Sequence, residues 1–300
     1  MTCGCLPVSS LSGKPGRMKY GVCTFPTAYA MQPAELGRAL EEREFESLWV
    51  AEHTHIPCSR ETPWPGGADL PQMYYDVYAP LIALTAVAAV TTKLKLGTGI
   101  QLVPQHDPIT TAKEIATLDQ ISGGRVLYGV GGGWNREELA NHYDFAFERR
   151  WKVMRERIEA MKVLWTEERA EYHGEFVDFD PVFASPKPVQ KPHPPIHVGG
   201  AAPWGIRRAL RYGDGWIPLS GRGDTDLFDD LATFRKMAAE AGRDPDTMEI
   251  SLYVAPTDAD ELTRLRDAGI SRVLFFGLPV EAEQSLPILD TYAELAHRVG

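Results

Sequence analysis

The sequence predicts a (β/α)8 TIM barrel with an insertion before strand five. From residue 18 onward, eight short apolar runs alternate with eight amphipathic stretches over about 280 residues, the size of such a barrel. The runs are apolar on both faces, as parallel strands covered by helices must be. The first run ends in Cys23-Thr24-Phe25-Pro26-Thr27 and not in the G-x-G-x-x-G that opens a dinucleotide-binding sheet. The nearest approach to that motif, Gly129 and Gly131, meets Trp134 where the third glycine should stand.

In chain order, residues 18–25 read as strand one, 33–44 as a helix and 47–51 as strand two. A Pro/Gly-rich loop covers 53–78, and an Ala-rich helix follows at 79–91. Residues 93–103 form strand three. Asp107 then caps a helix that has Pro108 at its first position and stops at Gly123–Gly124. Residues 125–130 are strand four. Phe147, Trp151, Met154, Ile158, Met161 and Trp165 fall at steps of three and four, the stripe of an amphipathic helix. Residues 170–195 are a proline-rich insertion with hairpin character. Strands five to eight fall at 195–198, 215–219, 248–254 and 271–276. Helices fall at 204–212, 227–241, 260–268 and 283–298. No linker divides 18–300, so one domain is expected, preceded by a loose leader at 1–17.

Composition narrows the function. With 41 acidic against 31 basic side chains the formal charge is −10, which disfavours nucleic acid and anionic membrane as partners. No apolar run is long enough to span a bilayer. Residues 1–17 lack the apolar segment of a secretory signal. The four cysteines (Cys3, Cys5, Cys23, Cys58) are too few for a disulfide framework, and a reduced cytoplasmic setting is expected. Cys3-x-Cys5 lacks the second pair a zinc site needs.

In a barrel of this kind the chemistry sits at the C-terminal strand ends. Gly131–Gly132–Gly133 closes strand four and Gly199–Gly200 closes strand five. Such loops either make tight turns or leave backbone N–H groups bare for a phosphate. Gly97-Thr98-Gly99 lies inside strand three and marks a bulge against a flat ring, or a packing concession. Glu52 and His53 end strand two. An imidazole there can donate a proton near neutral pH, with Glu52 orienting it, or it can bond a loop backbone. His53-x-His55 resembles a metal pair, but strand eight supplies no acid and His197 lies mid-strand, so no metal is expected. No G-x-S-x-G marks a serine nucleophile.

Segments 47–57 (SLWVAEHTHIP), 93–125, 126–138 (VLYGVGGGWNREE), 195–200 (PIHVGG) and 214–218 (DGWIP) together resemble the luciferase-like monooxygenase superfamily. Within it they are most similar to the coenzyme F420-dependent oxidoreductases. The resemblance implies a homodimeric barrel, a non-prolyl cis peptide at Gly99–Ile100 backing a deazaflavin ring, and phosphate on Gly131–Gly133 and Gly199–Ala201. It places Phe25, Thr98, Ile100 and Trp134 in the cofactor site and His53 beside the reactive ring. Sugar-phosphate dehydrogenases of the superfamily carry a catalytic Glu where this chain has Trp134, so the proton donor falls to His53 or to the substrate. The implied reaction is hydride transfer between F420 and a small organic substrate. An FMN-dependent monooxygenase and a catalytically silent flavin-binding barrel are the alternatives.

Overall fold

The computed structural model describes residues 18–67, 69–219 and 226–300. The expected leader at 1–17 lies outside them. Eight parallel staves close a barrel. They are β1 (Lys19–Thr24), β2 (Ser47–Val50), a divided stave β3 (Lys95–Thr98) and β4 (Gln101–Leu102), and β5 (Val126–Gly131). After an antiparallel hairpin, β6 (Ala170–His173) and β7 (Asp178–Val182), come β8 (Ile196–Gly199), β9 (Gly215–Ile217), β10 (Glu249–Tyr253) and β11 (Arg272–Gly277). The neighbour order is β3-β2-β1-β11-β10-β9-β8-β5-β4, and a further β3–β5 pairing shuts the cylinder. The hairpin is the expected insertion, placed before the fifth stave.

The third stave departs from expectation. Residues 93–103 are not one strand, because the backbone breaks at a cis Gly99–Ile100 peptide. The pairing offset to β5 is 30 at Leu96↔Val126 and 29 at Gln101↔Val130. One extra residue is therefore accommodated between the two pieces, which is a bulge.

Helices α1 (Pro33–Glu42), α3 (Pro80–Ala88), α4 (Pro108–Ser122), α6 (Arg150–Thr166), α7 (Trp204–Tyr212), α8 (Leu227–Glu240), α9 (Ala259–Asp267) and α10 (Ala282–Val299) wrap the staves. Two short helices inside loops, α2 (Met73–Asp76) and α5 (Arg136–Ala140), were not expected. Helix α4 starts as its sequence dictates: the Asp107 carboxylate accepts from Thr110 N at 2.8 Å. It ends at Gly123, whose φ of 67° suits a residue without Cβ.

The barrel interior is layered. Cys23, Trp49, Leu127, Ile217 and Leu274 fill the middle, and Ile100, Tyr253 and Phe276 cover them toward the C-terminal mouth. Trp49 sets the local sequence: a Cβ on Gly97 would run into its ring, and one on Gly129 would lie 3.0 Å from its edge.

The N-terminal mouth is plugged by charge. Arg272, 1 % exposed, donates to Glu46 (2.7 and 2.8 Å), Glu249 (2.9 Å) and Ser251 (2.9 Å). Lys19 also pairs with Glu249. Buried His197, 3.6 Å from Glu249, has no hydrogen-bond partner on either ring nitrogen. Its burial, then the charge of Arg272, push its pKa down to about 4.

Candidate active site

A cavity of about 540 Å³ opens at the C-terminal ends of the staves. Phe25, Glu52, His53, Gly99, Ile100, Gly131, Gly132, Gly133, Trp134, Gly199, Gly200 and Ala201 all line it. The bulge and both glycine loops thus face one space. Thr98, expected among the lining residues, does not line it. It is buried, and its hydroxyl donates to Gly129 O at 2.7 Å. It pins the bulge from behind.

The bulge forms a ledge with several backbone ties. Gly99 N donates to Val50 O at 2.7 Å, and Leu102 N donates to Glu52 at 2.5 Å. A Cβ on Gly99 would lie 2.8 Å from the Tyr253 ring. The Ile100 side chain reaches over the neighbouring staves, so a Cβ on Gly131 would collide with it.

Gly133 has φ 73° and Gly200 φ 134°, conformations that turn each loop back at the strand tip. Behind them stands Trp151 of α6, whose ring a Cβ on Gly132 would meet at 2.6 Å. The Arg208 guanidinium lies 3.5 Å from the centroid of that indole, and Arg150 lies 4.6 Å from it. Burial, then repulsion from Arg208, hold Arg150 down at about 10. Two half-buried cations therefore flank the glycine loops, a corner that favours an anion.

The histidine is held differently from expectation. His53 Nδ1 meets Glu138 Oε2 at 2.9 Å, with side chains 6 % and 1 % exposed. Glu138 Oε1 also accepts from Thr54 N at 3.3 Å. Glu52 does not orient His53. Its carboxylate instead binds His106 Nε2 at 3.0 Å and the Leu102 amide. Burial opposes charge on His106, but Glu52 overrides it and the pKa stands raised. Glu52 therefore supports the ledge, and the carboxylate serving His53 comes from the α5 loop helix. That residue had a signal: Asn135 followed three positions later by Glu138 is a capping pattern. Asn135 does cap α5, accepting from Glu138 N at 3.1 Å.

With Nδ1 engaged, Nε2 is the nitrogen left for the cavity. The imidazole sits between Tyr74 (ring centroids 5.3 Å) and Trp134 (5.8 Å). Tyr74 comes from α2, which the sequence hides inside the 53–78 loop. His55 turns away to Thr54 Oγ1 (3.0 Å) and Asn141 (2.9 Å). His53 and His55 thus have different partners and do not converge. Among the described residues no group of three or more His, Cys, Asp or Glu side chains could hold a metal ion. No described helix is long and apolar enough to cross a membrane. Cys23 and Cys58 are free thiols, and Cys3 and Cys5 lie outside the described residues.

A parallel barrel whose C-terminal mouth gathers the cis-peptide ledge, both glycine loops and a carboxylate-held histidine around one cavity has the layout of a small-molecule site. The chain belongs to the luciferase-like monooxygenase family, whose sequence model matches residues 16–298, and it is an oxidoreductase. An uncharacterised Mycobacterium tuberculosis protein is 42 % identical over 266 residues, covering 87 % of this chain and 92 % of the relative. An F420-dependent glucose-6-phosphate dehydrogenase of Kineococcus radiotolerans is 31 % identical, covering 78 % of this chain and 67 % of the relative. A monooxygenase structure from Streptomyces bottropensis superposes with TM-score 0.74 at 22 % identity, covering 94 % of this chain and 100 % of that one. The structure of an F420-dependent secondary alcohol dehydrogenase with an F420–acetone adduct superposes with TM-score 0.74 at 19 % identity, covering 95 % and 100 %. At those identities the two structures speak for the fold alone.

Proposed function

We propose that this protein binds coenzyme F420 and catalyses hydride transfer between it and a small organic substrate. The observation that carries the reading is the convergence of the ledge and both glycine loops on one cavity. The fit is physical. The ledge brings Gly99, which has no side chain, and Ile100 to the cavity surface. The Arg150–Arg208 corner suits the phosphodiester arm of the cofactor. Relatives named as F420-dependent favour the deazaflavin over FMN.

When bound, the deazaflavin supplies or accepts the two-electron hydride. The chain's own residues do the rest. Gly99 and Ile100 back the ring, and Gly131–Gly133 with Gly199–Ala201 hold the anionic arm. Trp134 and Tyr74 exclude water around His53. His53 Nε2 gives or takes the accompanying proton, while Glu138 fixes its tautomer and stabilises the imidazolium.

Titration with each cofactor tests the reading. F420 fluorescence is expected to quench with micromolar affinity, and FMN to bind at least tenfold more weakly. Tight FMN binding with reduced-flavin-dependent oxygen uptake would favour the monooxygenase. Binding of neither would leave a silent barrel.

A further inference from the structure

The two ends of the cavity differ in chemistry. The glycine end carries the Arg150–Trp151–Arg208 corner. The other end is a continuous aromatic wall. Trp134 touches His53, His53 touches Tyr74, and Tyr74 touches Phe25 (centroids 4.6 Å) and Trp64 (5.7 Å). Phe25 continues to Phe276 at 6.4 Å. His53 is embedded in that wall. The one carboxylate lining the cavity among the described residues, Glu52, is occupied by His106 and the Leu102 amide.

We infer that the substrate is an uncharged, ring-bearing ketone or the corresponding alcohol, bound against this wall with its oxygen on His53. The inference rests on the proposed F420 chemistry for its redox half. A phosphate or carboxylate set against these aromatics would be desolvated, and His53 is the one basic side chain of the wall that lines the cavity; Arg60 lies 6.0 Å from the Trp134 centroid and is not part of the lining. A planar or alicyclic ring instead gains burial and ring contact on several sides. One polar group in an apolar wall then orients the ligand, as in other small-molecule sites.

In the reducing direction the carbonyl carbon gains a hydride, two electrons, from the reduced deazaflavin, which is left oxidised. The C=O π pair becomes the new O–H bond as the oxygen takes the proton from His53 Nε2. One C–H and one O–H bond form, and His53 recovers its proton from solvent. The alcohol is oxidised by the reverse path.

The test has a cofactor-free part and a turnover part. Equilibrium dialysis of the free chain should bind acetophenone and cyclohexanone at least tenfold more tightly than glucose 6-phosphate. With reduced F420, kcat/KM for acetophenone should exceed that for glucose 6-phosphate by about 100-fold or more. Tyr74→Ala should weaken acetophenone binding by about tenfold while F420 quenching moves less than threefold, and Tyr74→Phe should match the wild type. Glucose 6-phosphate bound or turned over as well as either ketone would overturn the inference. So would wild-type acetophenone binding by a folded Tyr74→Ala variant. Absence of F420 quenching overturns the cofactor reading instead, and the dialysis ranking alone then decides the substrate class.

Discussion

Glu138→Gln isolates the function of the His53–Glu138 pair. The substitution keeps the shape of the side chain and an oxygen able to face His53 Nδ1. It removes the negative charge. In the wild type the two groups meet at 2.9 Å with exposures of 6 % and 1 %, so little solvent screens them. A hydrogen bond to a charged group contributes about 1.5–3 kcal/mol, against about 0.5–1.5 kcal/mol between neutral groups. The difference, about 1–1.5 kcal/mol, corresponds to roughly a tenfold fall in rate wherever the imidazolium forms or discharges in the rate-limiting step. Stopped-flow oxidation of reduced F420 with a saturating ketone should show that fall in kcat. F420 affinity should stay within twofold, because Glu138 does not line the cavity. Unchanged turnover in Glu138→Gln would refute the idea that the carboxylate assists proton transfer.

Two further outcomes follow from the ledge and the plug. Thr98→Val removes the hydroxyl that donates to Gly129 O. It should cost about 1–2 kcal/mol in urea unfolding, with weakened F420 binding, because the carbonyl behind the bulge is left bare. His197 has a folded pKa of about 4, below its ordinary 6.5. The unfolded chain therefore binds that proton more readily, and the stability His197 confers is present above 6.5 and lost as pH falls toward 4. The loss is on the order of 3 kcal/mol. His197→Leu should flatten the stability profile between pH 6.5 and 4. It should leave the acid-side loss below 4.5, which belongs to Glu249 held down at about 2 against its burial by Arg272 and Lys19.

The alternation of buried runs and amphipathic stretches made the barrel legible, since each stave must be apolar on both faces. The glycine loops were legible because missing side chains at strand ends have few other uses. The interruption of strand three was only half legible. Gly97 and Gly99 announce a bulge, but the division of residues 93–103 depends on the register with β5, which no local pattern encodes. Glu138 carried a capping signal, but its pairing with His53 was not legible, because it lies 85 positions away and arrives on a five-residue helix. Hydrophobic periodicity cannot register so short an element. Glu52 misled for the opposite reason. It is adjacent to His53 in sequence, but both lie past the end of β2, where strand alternation no longer sets direction, and its carboxylate turns to His106 and the Leu102 amide. The helix that carries Tyr74 was hidden likewise, as four residues within a long loop.

The indole of Trp49 reaches across three staves. Space for it has been cleared at Gly97 and Gly129, and its own Cβ comes within 3.1 Å of where a side chain on Gly99 would begin. These positions cannot drift singly. A smaller residue at 49 would free position 97 alone, because a methyl at 129 would still run into the Thr98 carbonyl and one at 99 would meet the Tyr253 ring at 2.8 Å. Across relatives, positions 49 and 97 should therefore change together, whereas 99 and 129 should stay glycine for as long as Tyr253 and the divided stave persist, a pattern that would survive even where the substrate has changed completely.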